Sequence, residues 1–507
     1  MSTLPVISKK SPQGIAVIIP DGPSLTYAQI DRIALSFARQ LIRRVPLSPG
    51  DVVSFALPNG IEFVGAFLGI TRARLLAAPL NPAYKEEEFK FYIEDSRSKV
   101  VIVPRGSVRA FAPAVSAARA LGARVAEAGW AGNEVSLEFF DEENGGKEYE
   151  LEPQDQDNAL LLHTSGTTGR PKGVPLTHKN LVTSMSNIAQ TYKLSPNDRT
   201  YLVMPLFHVH GLVGVLLSSL LAGGSVVIAP RFSATSFWND FTRYQCNWYS
   251  AVPTIHQIIL RHPLPNPMPK IRFIRSASSS LAPPTFHALE KAMGCPVLEA
   301  YAMTEASHQM TSNPLPPLKR KPGTVGLPQG VEVVILDEKG RRVKEGEVCI
   351  RGENVTRGYL NNPSANASSF TKDRYFRTGD QGYFDDDGYL VLTGRIKELI
   401  NRGGEKISPL EVDATLLEHP AVAEAVSFAW KDEMYGQEVH AAVVLRSAQR
   451  GIEEQLKEHC RKKLAEFKCP KKIHIMESIP KTATGKIQRR LLSAYFEKLE
   501  KDTKARL

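Results

Sequence analysis

Short apolar runs and amphipathic stretches alternate along most of the chain. GIAVII (14–19) predicts a short buried strand, and DVVSFALPNG (51–60) predicts a strand and a turn. IEFVGAFLGITRARLLAAPL (61–80) reads as a helix followed by a strand, KVVIVPRG (99–106) as a strand and APAVSAARALG (112–122) as a helix. NALLLHTSG (158–166) is a strand that feeds a loop, and the stretch from Thr177 to Leu194 is a helix with Thr177 at its N-cap. GSVVIAP (224–230) and NWYSAVP (247–253) continue the alternation, which predicts an α/β fold with largely parallel sheets.

Beyond Pro314 the texture changes. The stretch 323–360 is rich in β-branched residues and turn dipeptides, and with DDDGYLVLTGRIKELI (385–400) it predicts hairpins in a small barrel-like or distorted sheet. From Lys397 onward a compact α+β unit is expected. Its helices are PLEVDATLLEHP (409–420) and GIEEQLKEHCRKKLA (451–465), and its strands are VAEAVSFAW (422–430) and VHAAVVL (439–445). The expected division is 1–396 for a large domain and 397–507 for a small one.

Composition narrows the class. The 507 residues suffice for two or three domains, and 42% apolar with 23% charged residues is ordinary for a soluble globular protein. No run of 18 apolar residues occurs, and the opening stretch lacks the charged-then-apolar layout of a signal peptide. Five scattered cysteines, none with metal-ligand spacing, predict core packing in a reducing compartment. The formal charge is +10, and residues 451–507 hold 15 Lys and Arg against 8 Asp and Glu. Such a tail attracts anions, yet no RNA-binding module signature appears and no aromatics interleave its cations, so an RNA-binding role is the weaker alternative.

HTSGTTGRPKGVP (163–175) is the most chemical stretch of the chain. Glycines let backbone N–H groups converge on an anion, hydroxyls add donors, and Lys172 adds a point charge. The common phosphate loop starts a helix at its lysine. Here Gly173 and Pro175 follow Lys172 and are poor helix-interior residues, so the loop is expected to be a clasp between two strands.

TSGTTGRPKG (164–173) resembles the signature of the adenylate-forming superfamily, which includes acyl-CoA synthetases, luciferase and peptide-synthetase adenylation domains. The resemblance spans nearly the whole chain in order: VMPLFHVHGL (203–212), EAYAMTEA (299–306, with Ala302 where glycine is usual), RTGD (377–380), GRIKELINRGGEKISPLEVD (394–413) and PKTATGKIQRR (480–490). It implies ATP-dependent activation of an acid as acyl-AMP, then transfer to coenzyme A or to a carrier protein.

By that resemblance Thr164, Ser165, Gly166, Thr167, Thr168, Gly169 and Lys172 hold the β- and γ-phosphates, and Thr304 binds the α-phosphate. Glu305 helps hold Mg²⁺, Glu299, Ala300 and Tyr301 belong to the nucleotide site with Tyr301 against adenine, and Asp380 accepts the ribose hydroxyls. Arg395 reaches ribose or phosphate, and Lys486 bridges the acid and the α-phosphate. Lys397 is the hinge between domains, and Gly403 and Gly404 line the coenzyme tunnel.

The resemblance puts the acid pocket at SASSS (276–280) and YAMTEASH (301–308), with catalytic His208 beside it. Ser278, Ser279, His308, His208 and His210 are polar where a ligase for hydrophobic acids needs apolar walls, and Ala302 adds only a methyl group. Buried carboxylates need hydrogen-bonding partners, so these residues point to a small dicarboxylate. The finer resemblance is to the oxalate–CoA ligases of plants and fungi, with malonate, a short-chain, fatty or cinnamate-type acid as alternatives. The closing Ala505-Arg506-Leu507 resembles the small–basic–Leu address read by the peroxisomal import receptor.

Overall fold

The computed structural model describes the chain apart from residues 1–2, 10, 141–144, 147–148, 165–170, 450, 482–488 and 505–507. The loop residues Ser165, Gly166, Thr167, Thr168 and Gly169, the predicted Lys486 and the terminal Ala505-Arg506-Leu507 therefore lie outside the described residues.

Two sheets carry the larger part. The first has seven strands in the order Val135–Phe139, Arg124–Trp130, Val100–Pro104, Val52–Phe55, Leu76–Pro79, Asn158–Thr164 and Lys172–Thr177. Its middle is parallel and only its two outer pairs are antiparallel. Val52–Phe55 and Leu76–Pro79 are buried at every position, as continuous apolar runs covered on both faces must be. Helix Tyr27–Arg44 covers one face with Ile30, Ile33, Ala34, Phe37, Ala38, Leu41 and Ile42, the three-and-four spacing of one apolar stripe. Its start is a reciprocal capping box between Thr26 and Gln29.

The second sheet has nine strands. It runs Leu327–Pro328, His308–Ser312, Val297–Met303, Phe273–Ser276, Trp248–Ala251, Arg199–Leu202, Ser225–Ile228, Ile15–Ile18 and Ser24–Thr26. Its parallel centre turns antiparallel at Val297–Met303 against His308–Ser312, where the ladder slips between Tyr301 and Ala302. Such a bulge re-aims side chains, and it falls inside the EAYAMTEA motif.

The turn-rich region forms a four-stranded antiparallel sheet of Glu332–Leu336, Glu345–Arg351, Phe376–Phe384 and Leu390–Arg395, with irregular register at two of its ladders. The last unit pairs Glu405–Ile407, Ile400–Arg402, Gly436–Leu445 and Val422–Asp432 in order, with Lys472–Met476 added parallel to Gly436–Leu445. Helices Pro409–Leu417 and Ile452–Arg461 pack Val412, Leu416, Ile452 and Leu456 into its own core. It touches the large part where the Ser408 hydroxyl donates to the Thr393 carbonyl and Arg261 Nη2 donates to the Ala423 carbonyl across 3.3 Å.

Cys246, Cys295, Cys349 and Cys460 are buried and Cys469 is half-buried, with no disulfide. Burial pushes the thiols of Cys295, Cys349 and Cys460 up to about 12, which suits packing and not nucleophilic work. Much of the basic C-terminal charge is locally paired: Lys457 with Glu453, Arg461 with Glu454, Lys468 with Glu411 and Lys471 with Asp432. No described helix is long and apolar enough to cross a membrane.

Candidate functional site

The glycine- and hydroxyl-rich loop joins two antiparallel strands, Asn158–Thr164 and Lys172–Thr177. Thr164 pairs with Lys172, so a hydroxyl and an ammonium enter the loop side by side. Lys172 begins a strand, and the helix starts only at His178 behind a Thr177–Asn180 capping box. This is the expected clasp. His163, on the first strand, places Nε2 2.9 Å from Asp95 Oδ2 and packs on Tyr92 with ring centres 4.9 Å apart.

The second strand is pinned from outside. Leu360 N–H donates to the Gly173 carbonyl at 2.8 Å, and Thr356 Oγ1 to the Pro175 carbonyl at 2.8 Å. These bonds bring Tyr359 under Lys172, whose Nζ lies 4.6 Å from the ring centre. The Tyr359 hydroxyl donates to Glu305 Oε1 at 2.8 Å. Glu305 sits in the single turn Thr304–Ala306, next to the half-buried Thr304. Burial pushes its carboxyl above the ordinary value, against the Tyr359 bond that lowers it. Lys172, Tyr359 and Glu305 are thus one connected set, and Tyr359 had no marker in the sequence.

A second set joins Tyr301, Asp380 and Arg395. Asp380 lies within the strand Phe376–Phe384, opposite Arg395 in the neighbouring strand, and is therefore not a turn residue. The Tyr301 hydroxyl donates to Asp380 Oδ2, and Arg395 Nε is 3.2 Å from Oδ1. Burial, then the Asp380 charge, push the Tyr301 phenol well above its usual value and keep it a donor. Asp380 mainly holds the Arg395 guanidinium charged. Glu299 and Ala300 are buried, and Glu299 Oε1 accepts the Leu281 amide at 2.7 Å. Burial pushes the Glu299 carboxyl up to about 8, so it is neutral at pH 7.

The residues expected to choose the acid form a third set. His308 and His210 are fully buried, with ring centres 5.4 Å apart. His210 Nδ1 lies 3.0 Å from Ser278 Oγ and Nε2 2.7 Å from Ser250 Oγ. His308 Nδ1 is 3.1 Å from Arg275 Nη2. Ser278 (φ 74°) and His308 (φ 142°) occupy backbone regions that side chains rarely adopt, and such strain gathers at functional sites. The wide π-helical turn Leu212–Leu217 packs on this cluster through Gly214, where a Cβ would stand 2.6 Å from His308 Nε2. His208 Nδ1 accepts the His210 amide at 3.2 Å, and His210 in turn meets Ser278. Ser279 and Ala302 are half-buried, and no serine of 276–280 caps the helix Pro283–Met293, whose N-cap is Ala282.

Arg275 and Ser250 are not among the expected site residues, whereas His210 is one of the polar side chains expected at the acid pocket. A lone arginine inside the apolar strand FIRS was the one signal available; nothing local marked Ser250 or Gly214.

Lys397 lies in the turn between the four-stranded sheet, which ends at Arg395, and the C-terminal sheet, which begins at Ile400. Gly403 (φ 58°) and Gly404 (φ 99°) make the two-residue turn of the hairpin Ile400–Arg402 to Glu405–Ile407. The segment 482–488 is bracketed by anchors: Lys481 pairs with Glu424 at 2.7 Å, and Arg489 pairs with Asp413 at 2.7 Å and approaches Glu398 at 3.6 Å.

Phosphate and nucleotide fit these sets: a hydroxyl and ammonium at the clasp, a buried aspartate paired with a half-buried guanidinium, and the buried carboxylate of Glu305. Among the described residues no group of three acidic, His or Cys side chains stands ready for a metal. A hard cation at Glu305 would take its other oxygens from phosphate and water, the usual habit of Mg²⁺.

Comparison with known proteins shows the family and the fold. The AMP-binding enzyme family matches residues 6–360, and its C-terminal domain family matches 411–486. The chain is 51% identical to the oxalate–CoA ligase of Saccharomyces cerevisiae, covering 96% of this chain and 95% of that one. It is 52% identical to the oxalate–CoA ligase of Arabidopsis thaliana, covering 97% of both. Among solved structures, ATP-bound MatB from Rhodopseudomonas palustris superposes with a TM-score of 0.88 at 28% identity, covering 98% of this chain and 99% of that one.

Proposed function

The chain belongs to the AMP-binding enzymes, and on that premise we propose that it is an AMP-forming ligase joining oxalate to coenzyme A. The observation that carries the choice of acid is the set of fully buried His210, His308 and Arg275 with the half-buried Ser278, polar where an apolar acid would need hydrocarbon. The two oxalate–CoA ligases that share half of its residues support it.

In this reading an oxygen of one oxalate carboxylate attacks the α-phosphorus of ATP, and pyrophosphate leaves. The coenzyme A thiolate then attacks the acyl carbon, and AMP leaves. Both partners of the first step are anions, so the protein must supply positive charge and positioning. Lys172 and Thr164, with Ser165, Gly166, Thr167, Thr168 and Gly169, embrace the β- and γ-phosphates. Thr304 donates to the α-phosphate. Tyr301, Asp380 and Arg395 hold the nucleoside end, and the carboxylate of Asp380 exchanges its present donors for ribose hydroxyls. Lys486 neutralises the charge that builds between acid and α-phosphate. Mg²⁺ held at Glu305 would shield the phosphate charge.

The two steps need different groups at one place, so residues 397–507 turn about Lys397 between them, bringing Gly403 and Gly404 toward the coenzyme. The change of sheet between Arg395 and Ile400 supports a boundary there. The terminal Ala505-Arg506-Leu507 directs the protein to the peroxisome; deletion of Leu507 moves a fluorescent fusion to the cytosol, and an unchanged punctate pattern overturns that assignment.

Pyrophosphate release with coenzyme A and a panel of acids tests the function. Oxalate is expected to give the highest kcat/KM, ahead of malonate, acetate, a cinnamate and a fatty acid. Strong turnover of cinnamate or fatty acid with none of oxalate overturns the reading.

A further inference from the structure

Arg275 is a fully buried cation with no ion-pair partner among the described residues. Its Nε donates to the Tyr192 hydroxyl at 2.9 Å, and Nη2 donates to Gln309 Oε1 at 3.1 Å. The same Nη2 faces His308 Nδ1 at 3.1 Å, while Nη1 has no partner among the described residues. Every one of these partners is neutral. A buried charge without its opposite is costly to keep, and departures of this kind concentrate where a ligand completes the site.

The guanidinium also decides the chemistry of its neighbour. It can only donate, so His308 Nδ1 must accept and the ring proton must sit on Nε2. Burial, then the Arg275 charge, push both His308 and His210 well below their ordinary pKa, so both rings are neutral. His308 Nε2 has no partner among the described residues. From His308 the polar contacts continue by ring packing to His210 and end on the half-buried Ser278. The permanent charge of the cluster therefore lies at its back, behind two neutral donors.

We infer that Arg275 is a specificity-determining, positioning residue for the acid. Its unpaired guanidinium supplies the positive potential that holds the second carboxylate of a small diacid, and it locks His308 as an Nε2–H donor. This rests on the acid–thiol ligase reading with a diacid substrate.

Arg275→Met keeps length and burial and removes the charge. Pyrophosphate-release kinetics with oxalate, acetate and ATP read the result. The oxalate KM is expected to rise about ten-fold or more and the ratio of oxalate to acetate kcat/KM to fall by about as much, with the ATP KM within about two-fold of wild type. Arg275→Lys, which restores the charge, recovers part of the ratio. A folded Arg275→Met protein with an unchanged ratio overturns the inference. If Arg275→Met does not fold, His308→Gln and His308→Leu decide. Gln keeps an acceptor for Arg275 and an N–H donor, so it retains a lower oxalate KM than Leu; equal KM values overturn the inference. Wild-type protein that fails to use oxalate overturns the diacid reading itself, before any variant is compared.

Discussion

The hydroxyl of Tyr359 donates to Glu305 Oε1 at 2.8 Å while its ring lies 4.6 Å beneath Lys172 Nζ. One side chain thereby ties the phosphate clasp to the carboxylate expected to face the metal. Tyr359→Phe keeps the ring and removes the bond. A hydrogen bond to a charged group contributes about 1.5–3 kcal/mol, so kcat/KM for ATP should fall by about ten-fold or more with the oxalate KM unchanged. Steady-state kinetics over both substrates check this, and an unaltered ATP dependence removes Tyr359 from the site.

Gly214→Ala addresses the proposed acid pocket from the other side. The added Cβ would stand 2.6 Å from His308 Nε2 and 2.9 Å from Cδ2 and Cε1, so the ring must move. Overpacking of this kind costs about 1–3 kcal/mol, and the displaced donor should raise the oxalate KM by about ten-fold. The ATP KM should not change. Thermal melts and kinetics on the same variant separate the two effects.

Much of this was legible beforehand, and the parts that were not share a cause. Strands such as Val52–Phe55 and helices such as Ile61–Arg72 follow from local apolar spacing, so the sequence shows them directly. The clasp was legible because Gly173 and Pro175 argue locally against a helix. The proposed acid pocket joins Gly214, Ser250, Arg275, Ser278 and His308, brought together by strands and a π-helical turn that lie far apart along the chain. Nothing local marks Ser250 or Gly214 for that place. The same reason hid Tyr359.

Glu299 predicts a dependence of stability on pH. Its carboxyl is raised to about 8 in the folded chain from an ordinary value of 4.5. The folded state therefore binds a proton that the unfolded state releases, and stability falls as pH rises from about 5 to about 8. Glu299→Gln keeps an acceptor for Leu281 and has no proton to lose. Its advantage over wild type should grow to as much as about 3 kcal/mol near pH 7, read as a melting-temperature gap that widens with pH. Parallel melting curves across that range contradict the assignment.

Lys486 is expected to serve the first step alone. Lys481 and Arg489, on either side of 482–488, pair with Glu424 and Asp413 of the C-terminal unit, so the proposed turn of that unit should carry Lys486 with it. Lys486→Ala should lose adenylation by about a hundred-fold or more yet still convert pre-made oxalyl-AMP and coenzyme A to the thioester. Loss of both half-reactions, or of neither, contradicts that division.

The most direct measurement is ATP–pyrophosphate exchange without coenzyme A. If this chain activates a small diacid as its adenylate, oxalate should drive exchange of labelled pyrophosphate into ATP, and acetate or a fatty acid should do so far more weakly. No exchange with oxalate, or equal exchange with oxalate and acetate, would contradict the account.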